Sequence, residues 1–85
     1  MLKKYRKKID KIDKKLIKLF EKRMDVARCV GEYKKENNLE ILDTAREKEI
    51  LENRVMLTKN SEYKEYTSEF LESLMNVSKK LQSKK

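Results

Sequence analysis

The amino-acid sequence predicts an all-α protein with three helices in each chain, one long and two shorter. Its 85 residues include no proline and a single glycine, so few residues would interrupt a helix. No run of six residues alternates apolar and polar side chains as a half-buried strand does. Apolar residues instead recur every three or four positions, which is the spacing of one helix face. We therefore expect a single helical domain over residues 1–85.

The first predicted helix runs from Leu2 to Tyr33, about 32 residues or ~48 Å. One position interrupts its apolar stripe, because Arg23 stands where the repeat requires an apolar residue. Burying a guanidinium there costs several kcal/mol unless an anion meets it. That anion would be a ligand carboxylate or a protein one, for which Glu47 is the candidate. The stripe consists of Leu2, Tyr5, Ile9, Ile12, Leu16, Leu19, Val26, Val30 and Tyr33.

The second predicted helix follows Asn37 and Asn38, which are residue types that can end a helix in the left-handed conformation. It begins at Asp43 or Thr44, either of which can cap it, and Thr44 with Glu47 forms a Thr-x-x-Glu capping box. We expect it to end near Asn60. Its predicted buried face consists of Ile50, Leu51, Val55 or Met56, and Leu57.

The third predicted helix begins with Ser61 as its cap and extends to about Gln82. Its apolar stripe has the same spacing of three or four residues. The stripe consists of Tyr63, Tyr66, Phe70, Leu74, Val77 and Leu81.

The length of the first helix predicts a dimer. A compact domain of this size has a radius of gyration of ~12 Å, hence a diameter of roughly 30 Å. The first helix would extend about 20 Å beyond such a body with its apolar stripe uncovered. A second copy related by a two-fold axis would cover it, so we expect an intertwined homodimeric six-helix bundle.

The net charge of +8 raises the question of nucleic-acid or membrane binding. Many of the lysines lie on the first helix and avoid its apolar stripe, which is typical of a solvated face. There is no aromatic platform for bases, no lipid-seeking helix and no long apolar run. We expect a cytoplasmic protein that binds neither nucleic acid nor membrane. The lysines are Lys3, Lys4, Lys7, Lys8, Lys11, Lys14, Lys15 and Lys18.

Metal and cofactor chemistry finds no support in the composition. Cys29 is the single cysteine and histidine is absent, so a zinc site cannot reach its usual number of ligands. We expect neither a metal nor a cofactor.

The cations of the first helix suggest a site shared between two chains. Lys34 follows Arg23 by 11 residues, which puts it within ~20° of the same face and about 16 Å away. Arg6 lies ~25 Å before Arg23, so one chain cannot bring both to one small molecule. In an antiparallel pair crossing near residue 17, however, the partner's Arg6 arrives level with residue 28. The dimer would thus complete a cationic cluster.

Two polar pairs on the shorter helices extend this cluster. Arg46 and Glu47 open the second helix, and Ser78 and Gln82 share a face of the third. Each pair alone resembles ordinary surface residues. Together with the cations they form a set that suits a compact dianion but offers no nucleophile and no base tuned near neutrality. A reaction here would depend on restraining the substrate and stabilising charge on an oxygen.

Five parts of the sequence, taken together, match a known pattern in order and spacing: Arg6 to Asp13, Leu19 to Arg23, Val30 to Lys34, Asp43 to Glu47, and Ser78 with Gln82. Through them the sequence resembles the all-helical (type II) chorismate mutases over essentially its whole length. This resemblance implies an intertwined dimer of three-helix chains, with sites built from both, that rearranges chorismate to prephenate in phenylalanine and tyrosine synthesis.

The resemblance also implies a role for each residue. Arg23 and the partner's Arg6 would bind the two substrate carboxylates. Lys34 and Gln82 would donate to the ether oxygen as the carbon–oxygen bond breaks. The remaining residues implied are Arg46 and Ser78, which assist at the carboxylates, and Glu47, which with the backbone around Asp43 holds the ring hydroxyl.

Two alternatives stay open. A lyase of the same fold splits isochorismate into salicylate and pyruvate, although Glu47 and Ser78 favour the mutase. A non-catalytic helical dimer would instead bind acidic partners or nucleic acid through its lysine face, with salt-sensitive affinity and no use for Arg23 or Gln82.

Overall fold

The computed structural model describes residues 1–84 and confirms the predicted all-α class with three helices. Helix α1 spans Leu2–Glu36, α2 spans Thr44–Val55 and α3 spans Lys64–Gln82. A short 3-10 turn, Ser61–Tyr63, precedes α3. No strand forms within residues 1–84. Lys85 lies outside the described residues, and the single domain over 1–85 stays a prediction.

Helix α1 continues three residues beyond the predicted end at Tyr33 and then stops at the two asparagines. Asn38 adopts the left-handed conformation with φ of 55°. The side chain of Asn37 donates to the carbonyl of Tyr33 at 2.8 Å, and Leu39 N donates to the carbonyl of Lys34 at 2.7 Å. These bonds satisfy carbonyls that the helix end leaves without partners, so the predicted terminating residues are confirmed.

The start of α2 decides between the two predicted caps. Asp43 Oδ1 accepts a hydrogen bond from Arg46 N at 3.0 Å, so Asp43 is the cap and Thr44 is the first helical residue. The predicted capping box of Thr44 with Glu47 is therefore wrong. Glu47 does not fold back on its own helix and instead turns towards α3, where it pairs with Lys79.

The predicted end of α2 near Asn60 is also wrong, because the helix stops at Val55. Leu57 N donates to the carbonyl of Arg54 at 2.9 Å, and Thr58 N donates to that of Val55 at 3.0 Å. These three-residue spacings tighten the chain into a turn. Leu57, like Met56, is therefore exposed and contributes nothing to the buried face of this chain.

Helix α3 starts later than predicted and ends where predicted, at Gln82. The predicted cap Ser61 is replaced by Asn60, which caps the 3-10 turn: its side-chain oxygen accepts from Glu62 N at 3.0 Å. The N-cap position of α3 itself is Tyr63, whose side chain makes no capping bond. Thr58 Oγ1 donates to Thr67 Oγ1 at 2.8 Å and ties the connecting loop to α3.

The three helices meet around the C-terminal halves of α1 and α3. Arg23 contacts Ser78 and Gly31 contacts Gln82, so the two helices run in the same direction. A Cβ at Gly31 would lie 3.0 Å from Gln82 Cγ and 3.1 Å from Gln82 Cα. Alanine would crowd this contact, and the sole glycine of the chain thus lets α3 approach α1 closely at the helix end.

One chain leaves most of α1 uncovered. Every residue from Met1 to Lys22 is exposed, and the long axis measures 54 Å against 26 and 15 Å. The radius of gyration of 15.7 Å exceeds the ~12 Å of a compact chain of this length. Within residues 1–84, the apolar side chains classed as buried are those of Ala27 and Met75.

None of the helices within residues 1–84 combines the length and the apolar character that crossing a bilayer would require.

Replacing Asn38 tests how α1 ends. Asn38→Ala is expected to lower the free energy of unfolding by about 1 kcal/mol, because the left-handed conformation is unfavourable for residues with a Cβ and asparagine tolerates it best. Asn38→Gly, the matched control, should match or slightly exceed the parent chain, since glycine adopts this conformation freely. Urea unfolding measures both. Equal stability of the alanine and glycine variants would contradict this account of the helix end.

Candidate active site

A cavity of about 340 Å³ opens between the second half of α1, the start of α2 and the end of α3. The structure brings seven of the eight predicted site residues together around it. Those seven are Arg23, Lys34, Asp43, Arg46, Glu47, Ser78 and Gln82.

Arg23 reaches into the wall of the cavity from the middle of α1. Its Nη1 donates to Ser78 Oγ at 2.5 Å and to the carbonyl of Leu74 at 3.4 Å. The buried hydroxyl of Ser78 in turn donates to the Leu74 carbonyl at 2.8 Å. The guanidinium is thus held in place by neutral oxygens, which fix its direction without compensating its charge.

The charge of Arg23 has no carboxylate partner within residues 1–84. The two ion pairs there are Arg46 with Glu49 and Lys79 with Glu47, so the alternative pairing of Arg23 with Glu47 does not form. Burial lowers the pKa of Arg23 from its ordinary value, and the nearby charge of Arg54 lowers it further. An arginine stays protonated in proteins all the same. The cavity therefore holds a half-buried, uncompensated cation.

Lys34 presents a second cation, one that is anchored by the connection between α1 and α2. Its Nζ donates to the carbonyl of Ile41 at 2.9 Å, and the side chain is half-buried. An ammonium group has three donors, so two remain for other partners. The loop thus fixes Lys34 while leaving it able to bind a ligand.

Gln82 closes the cavity from the last turn of α3. Its Oε1 is buried without a hydrogen-bond partner among the described residues. A buried polar atom left unpaired costs about 1–3 kcal/mol, so such atoms call for an explanation such as a ligand or an ion. The close contact with Gly31 leaves this side chain little room on the α1 side. Gln82 is therefore a confined polar group at the cavity wall.

The first turn of α2 supplies the acidic side of the site. Glu47 Oε2 lies 2.9 Å from Lys79 Nζ across the gap to α3. The Arg46 side chain pairs with Glu49 and is half exposed at the edge of the cavity. Asp43 is committed to capping α2. Glu47 is thus the carboxylate held across the cavity by a residue of another helix.

Two charged lining residues, Arg54 and Lys79, are not among the predicted site residues. Helical spacing could have indicated both. Lys79 lies three residues before Gln82 and so shares its face, and Arg54 lies two turns after Glu47 on α2. Neither stands out by composition in a chain with 23 lysines and arginines.

Arg6 is the predicted site residue that one chain does not bring to the cavity. It is exposed on the first half of α1, 17 residues or ~25 Å before Arg23 along one continuous helix. The distance matches the sequence-based expectation, and no bend of α1 within one chain brings the two residues together.

The lining gives the cavity a positive charge. Two carboxylates, Asp43 and Glu47, face five cations, an excess of three. Within residues 1–84, no three histidine, cysteine or acidic side chains are grouped so that they could hold a metal ion. The arrangement can bind a small anion and donate hydrogen bonds to it. The five cations are Arg23, Lys34, Arg46, Arg54 and Lys79.

The fold and cavity define an all-α protein with a small cationic pocket between three helices. Residues 5–83 match the family model for chorismate mutase type II, and the chain belongs to this family. The resemblance drawn from the sequence is thereby confirmed.

A curated relative agrees with this assignment. Over 58 residues, 68% of this chain, the sequence is 41% identical to a bifunctional chorismate mutase/prephenate dehydratase of Aquifex aeolicus. The matched region spans only 16% of that protein's length. No solved structure matches the chain significantly.

Proposed function

We propose that this chain catalyses the rearrangement of chorismate to prephenate, the isomerisation for which its family is named, in phenylalanine and tyrosine synthesis. The observation that carries the proposal is the uncompensated guanidinium of Arg23 in the wall of a positively charged cavity. A substrate carboxylate is the anion that this charge lacks.

The chemistry of the cavity suits this reaction. In the rearrangement an ether carbon–oxygen bond breaks while a carbon–carbon bond forms within the same molecule, and no proton is transferred. The absence of a tuned base or nucleophile among the lining residues is therefore no obstacle. What the reaction needs is a folded substrate and donors aimed at the oxygen on which negative charge grows.

The donors would act at two places on the substrate. Arg23 binds one carboxylate, assisted by Ser78, which its guanidinium already contacts, and by Arg46 at the cavity edge. Lys34 and Gln82 donate to the ether oxygen, where one preset donor typically contributes ~3 to 4 kcal/mol to lowering the barrier. The close contact with Gly31 confines the Gln82 side chain at the cavity wall, and its carboxamide nitrogen is the atom that would donate.

The substrate's ring hydroxyl would be bound on the acidic side of the cavity. Glu47 is the carboxylate available there, together with the backbone around Asp43. This hydroxyl separates the proposed mutase from the lyase of the same fold, whose substrate carries its hydroxyl elsewhere on the ring. Neither the lyase nor the non-catalytic dimer is favoured by a feature of the cavity. The cytoplasmic location stays a prediction.

The second carboxylate would be bound by the partner's Arg6 in a homodimer. An apolar groove of about 440 Å³ adjoins the cavity, and Arg23 lines both. A second α1 laid antiparallel across this groove, crossing near residue 17, would fill it and cover the exposed apolar stripe. The same crossing brings the partner's Arg6 between Arg23 and Lys34. Formation of the dimer would thus cover the helix and complete the site at the same time. The groove's apolar lining consists of Leu16, Ile17, Leu19, Phe20, Phe70, Leu74 and Val77.

Replacing Arg23 with leucine tests the proposed activity. The unchanged chain should consume chorismate, which is measured as a loss of chorismate absorbance. Arg23→Leu should lower kcat/KM roughly a hundredfold or more. The melting temperature should be maintained or raised. Leucine removes a desolvated charge, while Ser78 retains its bond to the Leu74 carbonyl.

Two results would contradict this reading. An unchanged chain that leaves chorismate intact would refute the activity. A large fall in melting temperature for Arg23→Leu would mean that the arginine serves stability first.

Mixing two inactive variants tests the shared site. When Arg6→Ala and Arg23→Ala chains are unfolded and refolded together, half the dimers should be mixed, and each mixed dimer regenerates one intact site. The mixture should regain about a quarter of the parent activity, measured against each variant alone. Mixing Arg23→Ala with Gln82→Ala is the control. Both residues come from the same chain in each site, so recovery there, or none with Arg6→Ala, would refute the arrangement.

A further inference from the structure

We infer that Lys79 is a positioning residue that orients Glu47 to accept a hydrogen bond from the substrate's ring hydroxyl. The inference rests on the proposed function and deepens it, because it assigns a role to a lining residue outside the predicted set. Lys79 Nζ lies 2.9 Å from Glu47 Oε2, and both side chains line the cavity.

The surroundings of Glu47 explain why it needs such a partner. Its carboxylate lies in a cavity where Arg23, Arg46 and Arg54 also present their charges. Without a fixed partner, a flexible glutamate would turn towards one of these guanidinium groups. It would then neutralise a cation that the substrate carboxylates require. An ion pair with a different residue keeps Glu47 away from them.

The contact made by Lys79 leaves Glu47 able to act. The ammonium group pairs with Oε2, so Oε1 stays available as a hydrogen-bond acceptor. The two side chains are 31% and 28% exposed, which is intermediate between a surface pair and a buried one. A pair that is partly removed from water is screened less than an exposed pair and holds its geometry better.

The position of Lys79 on α3 links the two halves of the site. It follows Ser78, which contacts Arg23, and lies one turn before Gln82. Its bond to Glu47 crosses from α3 to the first turn of α2. The residue that holds the acidic group therefore belongs to the same helical turn as the groups proposed for the carboxylate and the ether oxygen.

The test uses Lys79→Met, which keeps most of the side-chain length and removes the charge, and Lys79→Arg, which restores a cation. A hydroxyl bound equally in ground state and transition state contributes to KM more than to kcat. Lys79→Met should therefore raise KM for chorismate about tenfold, the equivalent of one hydrogen bond to a charged group, with kcat changed less. Lys79→Arg should recover most of the loss. The matched control is Lys80→Met, an exposed neighbour outside the cavity, which should leave KM unchanged.

A double variant separates positioning from direct binding. In a Glu47→Gln background, Lys79→Met should add little to the rise in KM, because the group that it orients is already altered. A full additional effect would mean that Lys79 binds the substrate itself, and an unchanged KM for Lys79→Met in the parent chain would mean that the pair has no role. Both results overturn the inference while the parent chain still turns over chorismate. No turnover by the parent chain would overturn the proposed function, and the inference with it.

Discussion

The structure depends on one unusual placement, a guanidinium in the apolar stripe of a long helix. Arg23 lies at the boundary between the cationic cavity and the apolar groove. Neutral oxygens of α3 fix its direction and leave its charge uncompensated within residues 1–84. A charged residue at such a position lowers the stability of the fold unless an anion pairs with it. The long exposed helix needs a cover, and the proposed dimer supplies both the cover and a further cation, the partner's Arg6.

Some of the charged side chains that line the cavity form ion pairs within the described part of the same chain, and others do not. Arg46 pairs with Glu49 and Glu47 with Lys79, whereas Arg23 has no carboxylate partner within residues 1–84. Such a division suits a reaction that proceeds without proton transfer, since the protein then contributes by holding charges in fixed positions. The character of the cavity thus suits the reaction proposed for this member of the chorismate mutase type II family.

Much of the fold follows from apolar spacing and terminating residues, and the errors have local causes. Asn38 ends α1 because its left-handed backbone suits asparagine. The end of α2 was missed because Met56 and Leu57 continue the apolar spacing although the chain has already turned. Seven residues that line the cavity were predicted from the sequence: Arg23 and Lys34 share a helix face, as do Ser78 and Gln82, and Asp43, Arg46 and Glu47 lie at the start of α2. Helical spacing could have placed Lys79 beside Gln82, but its pairing with Glu47 depends on the distance between two helices, which a sequence does not state.

The shared site is the claim on which the rest of the account depends, because one chain alone places Arg6 far from the cavity and leaves residues 1–22 exposed. Sedimentation equilibrium at micromolar concentration measures the mass of the folded protein directly. The account predicts twice the mass of one 85-residue chain, with no folded monomer populated on dilution before the helices are lost. A folded, cooperatively melting monomer that still rearranges chorismate would contradict it.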